Sequence, residues 1–115
     1  MLQVWSQPLE TDLSFEHYIA TSAVITQGAA GQSEIVAGVE GKKIRVVGYT
    51  VVMDAAGTFR FQSANTDKTG AMPVNTNGGV SSNGVAFFCE KGEALNITST
   101  LGKAFGHVSY QLIPA

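Results

Sequence analysis

The eleven residues KIRVVGYTVVM (43–53) limit what this chain can fold into more than any other stretch. Its apolar side chains alternate onto both sides of an extended backbone: Ile44, Val46 and Val52 on one, Val47, Tyr49, Val51 and Met53 on the other. Residues two apart share a face of a strand, so the pattern predicts a central strand covered on both faces. DAAG (54–57) reads as a turn. After it, TFRFQS (58–63) alternates Phe59 and Phe61 with Arg60 and Gln62, as expected of a strand with one face on a core and the other in water. Together the two strands read as a β-hairpin.

The rest of the chain repeats these signals. HYIATSAV (17–24) and SEIVAGV (33–39) flank QGAAGQ, while GVAFFCE, EALNITST and FGHVSYQLI are separated by turns at Lys91-Gly92 and Leu101-Gly102-Lys103. About seven short strands at this spacing predict a sandwich or small barrel. No window carries a helical apolar stripe; LETDLSFEHYIA forms one turn of helix at most, or an extended arm. The expectation is one all-β domain over residues 17–115, preceded by an N-terminal arm over 1–16. Its predicted core is Ile44, Val46, Phe59, Phe61, Phe87, Leu95, Ile97, Val108 and Tyr110.

A chain of 115 residues is long enough to bury roughly two-thirds of its unfolded surface without covalent staples. Cys89 is the single cysteine, so no disulfide forms within the chain, and a reducing compartment is expected. MLQVWSQPLE has no basic region followed by an apolar run, and no stretch reaches the roughly 18 apolar residues of a spanning helix. Neither a secretory signal nor a membrane span is expected. Seven Lys and Arg against nine Asp and Glu, with nothing more basic than Lys42-Lys43, leave no electrostatic footprint for nucleic acid.

Catalytic chemistry has little to work with. The two histidines, His17 and His107, lie in no nucleophile elbow, phosphate loop or HExxH motif. His107 and Ser109 share a strand face but stand side by side, so His107 reads as an ordinary strand histidine. Cys89 alternates with Phe87 and has no cation beside it, which makes it a small buried hydrophobe. NTDKTG (65–70) begins like a calcium loop, but Thr76 stands where the bidentate glutamate belongs, so a polar turn is the better account. Asn96-Ile97-Thr98 falls on a predicted strand and carries no weight as a glycan acceptor. Glu90 and Glu93 bracket a turn and read as its solvated end. No metal and no cofactor is expected.

TGAMPVNTNGGVSSNG (69–84) has no charged side chain and no aromatic ring. Such residues bury little apolar area, so the segment reads as a loop that is either floppy or ordered by something outside the domain. Its small polar groups suit an interface at which hydrogen bonds to water are exchanged for bonds to a partner.

GKKIRVVGYTVVMDAAGTFRFQS, TGAMPVNTNGGVSS and GEALNITSTLGKAFGHVSYQLI together resemble small tailed-bacteriophage virion proteins of the head decoration, or cement, type. The resemblance spans about residues 17–113. It is carried by Gly41 to Val46, Phe59 to Ser63 with Thr69-Gly70, Gly92 to Leu95, and Gly106-His107 with Tyr110. It implies a jelly-roll-like antiparallel β-sandwich, made in the host cytoplasm, that serves on the capsid surface as a non-enzymatic structural protein. The major capsid protein or another virion protein is the implied partner. A homo-oligomer is implied too, with a trimer favoured over a dimer because such proteins often occupy local three-fold axes. Candidate partner-binding residues are Leu2, Val4, Trp5 and Leu9 on the arm, with Trp5 as the aromatic anchor, and Met72, Pro73, Asn75 and Asn77 in the chargeless segment. A tail or fibre module stays open as an alternative, as does a carbohydrate-binding sandwich using Trp5, Tyr18, Tyr49 and Tyr110 as stacking rings.

Overall fold

The computed structural model describes residues 19–115, apart from the side chains of residues 85 and 86. Nine strands are present there: β1 Thr21–Thr26, β2 Gly31–Val36, β3 Lys42–Met53, β4 Gly57–Ser63, β5 Thr66–Asp67, β6 Met72–Val74, β7 Gly79–Phe88, β8 Leu95–Thr100 and β9 Ala104–Pro114. They build two antiparallel sheets, ordered β1-β9-β3-β7 and β2-β8-β4-β5, with β6 sharing the outer side of β4 with β5. The chain crosses between sheets at almost every connection, and the first and last described strands are neighbours. That is the winding of a jelly roll.

The expected hairpin of residues 43–63 does not form. β3 pairs with β7 and β9, and β4 with β8, β5 and β6, so the DAAG turn carries the chain from one sheet to the other. Alternation reports that two strands each own an apolar face; it does not say whether those faces lie side by side in one sheet or stack across the core. Here they stack. Phe61 of β4 meets Tyr49 of β3 at 4.9 Å and Phe87 of β7 at 5.5 Å between ring centres, with Phe59 edge-on at 5.7 Å.

Nor is β3 covered on both faces. Val46 pairs with Tyr110 and Gly48 with Ser109, leaving Val47 as an extra residue opposite no partner. This β-bulge reverses the alternation. Ile44 and Val46 before it, and Val51 and Met53 after it, therefore all face one core and are fully buried, while Val52 turns outward and is exposed. A strand that looked apolar on two faces is apolar on one face, twice.

The chargeless segment is largely strand. Met72–Val74 pairs with β4, and Gly79–Phe88 pairs with β3 as the outermost strand of its sheet. Its order comes from within the domain: Asn77 adopts a left-handed φ of 60°, its amide donates to the Met53 carbonyl, and the Gly78 amide donates to the Asn75 carbonyl. Of the expected core, Ile44, Val46, Phe59, Phe61, Leu95, Ile97 and Val108 are essentially inaccessible. Phe87 and Tyr110 pack against this cluster but remain half-exposed. β9 must approach β3 closely at Gly106, whose φ is 143° and where a Cβ would lie 1.9 Å from the Thr50 carbonyl oxygen. Only glycine meets both conditions.

Candidate partner-binding surface

One end of the sandwich gathers four turns: 27–30, 54–56, 75–78 and 101–103. They are cross-linked by their own backbone. Asp54 and Lys103 exchange bonds at 3.1 Å through the main chain and 2.7 Å from the Lys103 amide to Asp54 Oδ1, with the Lys103 ammonium 3.8 Å from the other carboxylate oxygen. The Ala56 amide donates to Thr76 Oγ1 at 3.1 Å, and the Gln27 amide donates to the Ala104 carbonyl. Beneath them Gln27 is buried with its side-chain amide fully engaged. Nε2 donates to the Gly31 carbonyl at 2.8 Å and Ser33 Oγ at 3.1 Å, while Oε1 accepts from Ser99 Oγ at 2.6 Å and the Ala104 amide at 2.8 Å. These bonds tie the end of β1 and its neighbour β9 to β2 and β8 of the other sheet, so the turns above sit on a firm base.

Asn75 and Asn77 are exposed at this end, and Pro73 is exposed on β6 just before it. Met72 differs from the other three: it is half-buried, packs against the core and accepts a weak bond from the Tyr49 hydroxyl at 3.9 Å. Part of its surface is therefore committed to the fold. Leu2, Val4, Trp5 and Leu9, together with the proposed arm over 1–16, lie outside the described residues. One residue here is absent from the expected set. Leu101 is 85% exposed and holds a φ of 70°, a left-handed conformation that costs a non-glycine residue about 1–2 kcal/mol. The signal was legible as a large aliphatic residue in a turn where Asn, Asp or Gly is usual.

Of the groups weighed for chemistry, His17 lies outside the described residues, and the others are occupied structurally or face water singly. His107 is exposed on the outer face of β9, across from Thr50. Cys89 is buried, and burial pushes its thiol up to about 11, well away from a reactive thiolate. Ser63 is buried and donates to Glu93 at 2.6 Å, while the Glu90 amide donates to Ser63; the Glu90 carboxylate pairs with Lys68 at 2.6 Å. Hydrogen bonding and the charge of Lys68 hold Glu90 below the usual carboxylate range. In the calcium-like stretch, Asp67 accepts from Gln62 and Arg60, both at 2.9 Å, and the bond from Gln62 leads in lowering its pKa. Among the described residues no three His, Cys, Asp or Glu side chains converge as metal ligands.

Tyr49 and Tyr110 are packed against the core rather than displayed as a platform, and Trp5 and Tyr18 lie outside the described residues. Comparison with known proteins adds no relative: no family model matches the chain, and neither a curated protein nor a solved structure is similar to it.

Proposed function

We propose that this protein is a non-enzymatic structural component of a tailed-bacteriophage virion, a decoration protein that binds the outside of the head lattice through the turn end of its sandwich. The observation that carries the reading is Leu101. A large aliphatic side chain held in water on a strained backbone opposes folding, and strained positions of this kind cluster at functional sites. Asn75 and Asn77, exposed in another turn at the same end, add small polar groups that exchange water for hydrogen bonds at a contact. The jelly roll supports the reading only at the level of analogy: the architecture recurs in capsid proteins and in lectins alike, and function lives in the site.

The test uses particles assembled without this chain. Purified protein is added to heads and, separately, to tails, and binding is read by co-sedimentation. Leu101→Gly keeps the left-handed turn and removes the side chain, so it should lower affinity for heads at least about tenfold while leaving the fold intact. Undiminished binding by this variant would refute the role of the turn end. Binding to tails but not heads would move the protein to the tail, and binding to neither would end the virion reading.

A further inference from the structure

We propose that copies of this chain join head to tail through the edges of the β1-β9-β3-β7 sheet, with β7 of one copy set antiparallel against β1 of the next. This deepens the oligomeric part of the reading above, but it is carried by the sheets themselves.

Open sheet edges template pairing with other chains, and proteins blunt them with charge, proline, bulges or brevity. The second sheet uses all four devices. β2 carries Glu34 and a register break between Glu34 and Val36; β5 has two residues, one of them Asp67; β6 has three residues with Pro73 at the centre. Among the described residues the first sheet has no such guard along β1 or along the first half of β7. β1, TSAVIT, and the Gly79–Asn83 half of β7, GVSSN, contain no charge and no proline.

These two edges match. The paired registers run straight across the sheet: Ser22, Val24 and Thr26 are level with Ser109, His107 and Phe105 of β9, then with Gly48, Thr50 and Val52 of β3, then with Asn83, Ser81 and Gly79 of β7. Four antiparallel strands leave the outer two running in opposite directions, so β7 meets the next copy's β1 as an antiparallel neighbour. The hydrogen-bond phase agrees as well. The Gln27 amide bonds the Ala104 carbonyl and the Met53 amide bonds the Gly78 carbonyl. Since inward and outward groups alternate, Ser22, Val24 and Thr26 on β1 and Gly79, Ser81 and Asn83 on β7 point their amides and carbonyls outward. No described residue bonds those groups. Placed level, the edges form three hydrogen-bonded pairs, about six backbone bonds, centred on Val24 against Ser81. Val24 is 75% exposed, leaving its side chain free to lie over the joint. Beyond Asn83 the register of β7 shifts, which ends the matching segment where β1 also ends. Because the contact joins two different edges, it closes into a ring when the rotation permits.

Sedimentation velocity on the purified full chain, with no virion present, tests this apart from particle binding. The wild-type protein should form an oligomer larger than a dimer as concentration rises. Val24→Pro and Ser81→Pro each delete one outward amide without touching a backbone bond to β9 or β3, Ser81→Pro giving up only the exposed side-chain bond to Thr50 Oγ1, and each should weaken assembly at least about tenfold. Mixed together, the two variants retain one good edge apiece and should give a heterodimer that grows no further. Val24→Lys and Ser81→Lys, both on exposed positions, serve the same role if a proline variant fails to fold. A wild-type monomer at all concentrations, self-association of either blocked variant at wild-type strength, or a mixture that stays monomeric would each overturn the proposal.

Discussion

Replacing Gln27 by Leu removes four hydrogen bonds at nearly constant volume, and the cost can be worked from where the partners lie. The Gly31 carbonyl and Ser33 hydroxyl are only part-buried, so water can replace the lost amide there. The Ala104 amide and the Ser99 hydroxyl are buried, at 0% and 2% exposure, and would be left without an acceptor. Each such orphan costs about 1–3 kcal/mol. Burying Leu in place of an amide returns about 1 kcal/mol, which sets the expected net loss near 3 kcal/mol. Urea denaturation should show this as a lower midpoint with an unchanged slope, and thermal melting as a fall of about 10 °C or more. Ser99→Ala introduced into Gln27→Leu deletes one orphan, so the double variant should be more stable than Gln27→Leu alone, with a coupling of about 1 kcal/mol. A loss below about 1 kcal/mol, or strict additivity, would refute the view that this amide ties the sheets together.

Phe61→Ala empties the centre of a four-ring cluster and should cost about 3–5 kcal/mol by the same denaturation assay; an unchanged midpoint would remove Phe61 from the core. With its thiol pushed up to about 11, Cys89 should resist a maleimide reagent at pH 8 in the folded protein and react fast once unfolded in urea. Asp67 and Glu90 titrate below their ordinary values of 3.8 and 4.5 in the fold. The stabilisation from each is therefore present above those values and lost as pH falls through the folded pKa. Urea midpoints should drop in that acid range, and Asp67→Asn should flatten the drop.

Much of this architecture is written in local pattern. Period-two alternation marked β4 as a one-faced strand and identified Phe59, Phe61, Leu95, Ile97 and Val108 as core, because a side chain's face follows from its parity along a strand. The turns at 54–57, 91–92 and 101–103 are likewise local matters of backbone conformation. Parity fails where the backbone count changes. The bulge at Val47 flips every later residue of β3, and no one-dimensional pattern separates it from a strand with two apolar faces. Sheet membership is also invisible locally, since β3 and β4 would carry the same alternation as a hairpin or as a stacked pair. The candidate partner surface was half legible. Asn75 and Asn77 stood out by composition, but Leu101 reached their end of the sandwich only because connections remote in sequence converge there. The open edges belong wholly to the tertiary structure: TSAVIT and GVSSN became edges when β9 and β3 took the places between them, and long-range pairing, not residue type, makes that choice.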